Sequence, residues 1–115
     1  MNNRKKGIKS VNVIKKVLLE IGHLVDGPFN KVTFFRGRKV ISHVDLFGAY
    51  DLISIDKKTG LVFFHQITSI NAKTRKIKKM SQIPVYSFLW CKNKDKKFRL
   101  FLIKKSRNKV EELTI

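Results

Sequence analysis

The stretch DLFGAYDLISIDKKTGLVFFHQITS, residues 45–69, concentrates the side chains best suited to chemistry. Asp45 and Asp51 are carboxylates at the edge of a greasy segment, and Gln66 follows on the next apolar run. A carboxylate inside an apolar run is costly unless it is paired or solvated. The constellation is therefore either a metal-dependent hydrolytic centre or the polar fringe of a hairpin in a basic binding protein.

Hairpin geometry brings these groups together. Residues 46–55 and 61–70 are rich in Ile, Val, Phe and Leu and read as strands. Asp56-Lys57-Lys58-Thr59-Gly60 between them reads as the loop. In an antiparallel pair without a bulge, partner numbers have a constant sum, so Asp56 opposite Leu61 places Asp51 opposite Gln66. Alternation then gives Asp51, Ile53 and Ile55 one face, shared by Gln66 and Thr68 on the partner strand. A single bulge would break this register.

The remaining elements follow from periodicity and punctuation. Val13, Ile14, Val17, Leu18 and Ile21 form a helical face, with Ser10 as N-cap, Gly22 as stop, and Lys15 and Lys16 off the core side. Residues 1–9 form a basic arm ahead of it. Val32, Phe34 and Phe35 suggest a strand, Gly37 a turn, and residues 40–44 a second arm. Residues 71–82 read as an intensely basic helix capped by Asn71, with Ala72, Ile77, Met80 and Ile83 on its core side. Pro84 ends it. Residues 85–91 and 98–103 are strands around a charged turn at 92–97, and a short helix or tail occupies about 106–115. The order helix, three strands, helix, two strands makes an α/β fold with a mixed sheet, in one domain spanning 1–115.

Composition narrows the partners. Lys plus Arg number 26 against 8 Asp plus Glu, a net charge of +18, on a chain that is 43% hydrophobic. The apolar content argues for a folded protein and the charge for a polyanion as partner. A solvated basic surface from a compositionally biased genome is the plainer alternative. Cys91 is the single cysteine, which excludes an internal disulfide and a cysteine-based zinc site and suits a small buried hydrophobe. His23, His43 and His65 lack metal-ligand spacing in the sequence. The basic amino terminus resembles the start of a signal peptide, but Lys15 and Lys16 interrupt the apolar stretch that follows. No segment is long enough to span a membrane, so a cytoplasmic protein is expected, in the host cell if the source is viral.

The order of elements, with Gly48-Ala49-Tyr50-Asp51 ahead of one strand and Gln66-Ile67-Thr68 on the next, resembles the PD-(D/E)XK nuclease superfamily. Archaeal Holliday junction resolvases and many restriction enzymes belong to it. More closely, Asp45-Leu46-Phe47-Gly48, Asp51-Leu52-Ile53, Gln66-Ile67-Thr68-Ser69 and Asn71 with Arg75, Lys78 and Lys79 resemble a pattern of small phage and bacterial nuclease-like proteins. The resemblance implies a restriction-endonuclease-like mixed β-sheet flanked by helices, in the order α-β-β-β-α-β-β. It implies a Mg²⁺- or Mn²⁺-dependent DNA endonuclease, resolvase-like, working as a homodimer, with an apolar stretch such as 85–90 as interface or core.

On that resemblance Asp51 binds metal, helped by Asp45, by the Gln66 amide oxygen and by the Ile67 carbonyl. Gln66 and Thr68 stand where the superfamily has an acid and a lysine. Lys73, Arg75 or Lys78 would replace that lysine, so the catalytic set is Asp51, Gln66, Asp45, Thr68 and Lys73. Lys73, Arg75, Lys76, Lys78 and Lys79, with Arg36 and Arg38, would contact phosphates. A cation held there would offset phosphodiester charge and acidify a water. The alternative is a non-catalytic DNA- or RNA-binding protein on a degenerate nuclease fold. In that reading Asp45 caps a turn, Gln66 is a hydrogen-bond partner, Thr68 and Asp56 are strand and turn residues, and the basic helix is solvated.

Overall fold

The structure, a computed structural model, describes residues 3–103 and 110–113. The first helix, α1 (Asn3–Glu20), begins well before Ser10. Most of the expected 1–9 arm is therefore helical. Arg4, Lys5, Lys6 and Lys9 are good helix formers, and Gly7 alone works against them by about 1 kcal/mol. Val11, Ile14 and Leu18 are buried at three- and four-residue spacing, while Val13 and Ile21, expected inward, are exposed. Gly22 ends the helix with φ +93°, a conformation glycine adopts without strain.

Seven strands precede or follow in the order β1 (His23–Asp26), β2 (Phe29–Phe35), β3 (Arg38–Val44), β4 (Leu52–Asp56), β5 (Val62–Ser69), then β6 (Ser87–Lys92) and β7 (Phe98–Ile103); an eighth, β8 (Val110–Leu113), closes the described chain. A 3₁₀ turn (Ile70–Ala72) and the second helix, α2 (Lys73–Met80), lie between β5 and β6. One sheet has the order β1-β4-β5-β6-β7-β8, and β2 and β3 form a separate two-stranded ribbon inserted between β1 and β4. Only β5 and β6 pair in parallel, across the α2 connection; the other neighbours are antiparallel. The mixed α/β character is as expected. The strand count is not: five strands, not three, precede α2, and three, not two, follow it.

Each discrepancy has a local cause. His23-Leu24-Val25-Asp26 is too short to declare its alternation. The expected tail at 106–115 contains β8, whose Val110–Leu113 pairs with Ile103–Leu100 and covers the β7 edge. Arg99 clamps it by a bidentate pair to Glu112 at 2.7–3.2 Å. The rest of that expected tail, at 106–109 and 114–115, lies outside the described residues. Asn71 does not cap α2; the cap position is Ala72, without a side-chain bond, because the 3₁₀ turn already starts the coil at Ile70. The stretch offered as a dimer interface at 85–90 runs into the central strand β6, where Ser87, Leu89 and Trp90 are buried. Among the described residues, no helix is long and apolar enough to cross a membrane.

Helices cover both faces of the sheet. Under α1, Val11, Ile14 and Leu18 pack with Leu52, Ile67 and Trp90. On the other face Met80 of α2 packs with Tyr50, Leu89, Cys91, Phe101 and Ile103. Alternation separates the two cores: Trp90 and Leu100 belong to the first, Leu89 and Phe101 to the second.

Candidate metal centre

The hairpin register is as expected over its length. Leu52 pairs with His65, Ile53 with Phe64, Ser54 with Phe63 and Ile55 with Val62. The ladder stops there. Asp51 N–H donates to the His65 carbonyl at 2.8 Å, so Asp51 and Leu52 both face His65. This two-against-one arrangement is that of a β-bulge, and it takes Asp51 out of its expected place opposite Gln66. The bulge re-aims the carboxylate: Asp51 Oδ2 accepts the Ile67 N–H at 2.9 Å.

The loop ahead of Asp51 turns back tightly. Leu46 N–H donates to the Tyr50 carbonyl and Gly48 N–H to the Asp45 carbonyl. Phe47 (φ 54°) and Gly48 (φ 69°) carry the reversal, and the exposed Phe47 is strained in a way glycine is not. The turn returns Asp45 to Asp51. Between them sits a residue not foreseen as a ligand. His43 Nε2 is 2.7 Å from Asp45 Oδ1 and 3.3 Å from Asp51 Oδ1. One ligand atom from each of the three lies within 4.8 Å of the others, so the cluster could hold a metal ion. The missed signal was local: His43 and Asp45 are two residues apart where β3 ends, and an extended chain puts such residues on one side.

Burial grades across the cluster. The side chains of His43, Asp45 and Asp51 are 31%, 23% and 7% exposed. Burial pushes the Asp51 carboxyl up to about 6; the Ile67 N–H opposes the rise and the nearby Asp45 charge adds to it. A buried carboxylate held near another favours a proton or a cation.

Gln66 is buried on the β5 face that α2 covers. Its Nε2 donates to the Ile67 carbonyl at 3.1 Å, and its Oε1 has no hydrogen-bond partner among the described residues. An unpartnered buried acceptor costs about 1–3 kcal/mol, so a donor or cation there would be stabilised. The Ile67 carbonyl, expected as a ligand, is engaged by that amide, and the Ile67 side chain belongs to the α1 core. Thr68 is half-buried, paired with Cys91, and no contact described joins it to the cluster.

Lys73, expected to take the place of the missing lysine, is engaged away from the cluster. Its ammonium sits 4.2 Å from the Phe101 ring centroid, a cation–π contact on β7. β7 is three strand spacings from β4, about 14 Å. Arg75, Lys78 and Lys79 are exposed on α2, and Lys76 is half-buried. Arg36 and Arg38 flank the tip of the β2–β3 ribbon.

Comparison with protein-family models, curated proteins and solved structures returned no match.

Two further contacts hold the centre. Gly27 (φ +109°) packs so closely on the Asp51 carbonyl and on Leu52 that a Cβ there would collide with both. Lys15, off the core side of α1, reaches across to donate to the Gly27 carbonyl at 2.6 Å.

A separate polar chain runs beneath α1. Trp90 Nε1–H can only donate, so His65 Nδ1 accepts, at 3.1 Å. His65 Nε2 then carries the hydrogen donated to Ser54 Oγ at 2.8 Å, leaving the Ser54 hydrogen for His23 Nδ1 at 3.0 Å. Burial, with a smaller contribution from His23, lowers the His65 pKa to about 3, so it is a neutral structural histidine.

Proposed function

We propose that the protein is a metal-dependent endonuclease acting on DNA, with His43, Asp45 and Asp51 as the cation-binding cluster. The observation that carries the reading is the convergence of an imidazole and two carboxylates on one point in a chain of net charge +18. The sequence resemblance to PD-(D/E)XK nucleases supports it independently, through Asp51 and the Gln66-Ile67-Thr68 element.

The residues fit a divalent cation. Asp51 and Asp45 offer hard oxygens and His43 an imidazole nitrogen, and the Gln66 Oε1 is without a hydrogen-bond partner among the described residues. Oxygen ligands alone suit Mg²⁺; the imidazole favours Mn²⁺. When bound, the cation would neutralise phosphate charge and acidify a water. The protein's own groups do the rest. The Ile67 N–H fixes Asp51 through Oδ2, leaving Oδ1 facing the cluster. His43 Nε2 holds Asp45 and Asp51 together, and must release any hydrogen it shares with them to become a ligand. The exposed cations of α2 supply phosphate attraction that carries no sequence preference.

A second reading is favoured by one observation. Thr68 replaces the lysine, and Lys73 is committed to Phe101 rather than to the cluster. This supports a protein that binds nucleic acid without cutting it. The two readings separate on one experiment: linear duplex, single-stranded and four-way-junction DNA are incubated with Mg²⁺ or Mn²⁺, beside Asp51→Asn. Cutting that needs metal and is lost in the variant supports the nuclease, and the preferred substrate names its class. Salt-sensitive binding without cutting supports the second reading.

A further inference from the structure

The most exposed apolar surface is the β2–β3 ribbon. Phe34 is 74% and Phe35 65% exposed, and Val32, Val40, Ile41 and Val44 are exposed beside them. Among the described elements the ladders of both strands join them to each other, and neither strand has more than marginal contact with another element. A contiguous apolar patch left this exposed on a ribbon marks a binding surface.

Its chemistry limits the occupant. Between Asp26 and Asp45 there is no acidic residue, and Lys31, Arg36, Arg38 and Lys39 all lie in this segment. The Arg36 guanidinium lies 5.4 Å from the Phe35 ring centroid, so the tip is aromatic and cationic at once. A second copy of the chain would bring another +18 and the same basic arm against this one. A duplex polyanion removes that repulsion and offers base edges, with the thymine methyl groups among them, to the aromatic tip.

Its dimensions select further. Each strand has seven residues, about 23 Å of extended chain. Arg36 (φ 50°) and Gly37 (φ 75°) form a tight two-residue turn, so the ribbon stays narrow to its end. The major groove of B-form DNA, about 12 Å wide, admits a two-stranded ribbon; the deep, narrow major groove of an RNA duplex does not. The Cα pairs Phe34↔Lys39, Val32↔Ile41 and Asn30↔His43 share one face. The face that carries Phe34 at the tip thus carries His43 at the root, beside Asp45 and Asp51.

We propose that the β2–β3 ribbon is a DNA-binding arm that lies in the major groove of a B-form duplex, with Phe34 against base edges, Phe35 and Arg36 at the tip on the opposite face, Lys31, Arg36, Arg38 and Lys39 on phosphates, and its root setting the duplex over the His43–Asp45–Asp51 cluster. The last clause rests on the nuclease reading; groove binding by the arm does not. From root to tip, His43 to Arg38, the arm runs five residue steps, so its contacts fall about 17 Å from the cluster, roughly five base pairs along the duplex.

The test measures binding apart from cleavage. A fluorescein-labelled linear duplex DNA and the RNA duplex of the same sequence are titrated with the full chain in EDTA, over a salt series. The variants are Phe34→Ala/Phe35→Ala and Arg36→Ala/Arg38→Ala. Both change exposed side chains, and melting temperatures check that both fold. The aromatic pair should weaken DNA binding about tenfold with the salt slope unchanged, by analogy with lost base–aromatic contacts. The arginine pair should reduce the slope of log K against log salt by about 2. DNA should bind tighter than RNA. Any of three results overturns the proposal: DNA affinity changed less than about twofold in both variants, equal affinity and equal sensitivity for RNA, or a dimer in sedimentation that the aromatic pair dissolves while DNA affinity is kept. The last would make the arm a self-association surface. Cleavage is scored separately with Mn²⁺: its absence in the wild type counts against the nuclease reading alone, and indifferent binding counts against the arm alone.

Discussion

His43 Nε2 lies 3.3 Å from Asp51 Oδ1, and this contact joins the root of the β2–β3 ribbon to the bulge that opens β4. If His43 is a cation ligand, His43→Ala should lower Mn²⁺ affinity by roughly 10- to 100-fold and Mg²⁺ affinity less, since the imidazole contributes most to the softer ion. Isothermal titration of each ion checks this; an equal loss for both would assign His43 to positioning alone.

Asp51 is held with its carboxyl pKa at about 6 by burial, well above the usual 3.8. A raised carboxyl pKa means the folded chain binds the proton more tightly than the unfolded one. Its contribution is therefore present below pH 4 and is lost as pH rises through about 6. At neutral pH the metal-free protein carries an unfavourable buried charge. Asp51→Asn should stabilise it by roughly 1–3 kcal/mol, seen as a rise of several degrees in Tm. The same variant should abolish the further rise that Mn²⁺ gives the wild type. Binding of Mn²⁺ to the wild type should strengthen as pH is raised from 5 to 7.

His65 works in the opposite sense. Its pKa is lowered to about 3 from 6.5, so the unfolded chain binds its proton first as pH falls. The stability it confers is complete above pH 6.5 and is lost progressively toward pH 3, by about 1.4 kcal/mol per pH unit at most. Between pH 4 and 6 Asp51 offsets nearly all of this, because the folded chain takes up a proton there as the unfolded chain takes one up on His65. Denaturant titrations across that range should show stability almost flat in the wild type, and falling with acid by up to about 1.4 kcal/mol per pH unit in Asp51→Asn.

Gly27 tests how the centre is mounted. An added methyl meets the Asp51 carbonyl and Leu52 and must also adopt φ +109°. Gly27→Ala should cost about 2–4 kcal/mol. Because the collision bears on Asp51 itself, Mn²⁺ affinity should drop even in the fraction that remains folded. Gly60→Ala, at a positive φ in open space, is the control: it should cost less and leave Mn²⁺ affinity alone.

Much of the frame was legible in the residues. The long apolar runs on either side of Asp56-Lys57-Lys58-Thr59-Gly60 gave the β4–β5 hairpin and its pairing sum, because alternation and turn chemistry agree there. β1 and β8 were missed because four residues, two of them acidic in β8, carry no periodicity, and edge pairing decides them. The bulge at Asp51 depends on a single main-chain bond to His65, which no side-chain pattern encodes. His43 escaped notice because its spacing to Asp45 matters only once β3 is known to end there. The position of Lys73 just after β5 suggests a place at the cluster; the Phe101 ring that its ammonium meets instead is distant in sequence.

If the cluster at Asp51 drives metal-dependent cutting of DNA, nicking of a supercoiled plasmid by the full chain in Mn²⁺ reads it most directly, with EDTA and Asp51→Asn as parallel reactions. Nicks should form with Mn²⁺ in the wild type and not in EDTA, and at least a hundredfold more slowly in Asp51→Asn, about 2.7 kcal/mol of lost transition-state stabilisation. Plasmid left intact by the folded wild type in Mn²⁺, or cut equally fast by Asp51→Asn, would contradict it.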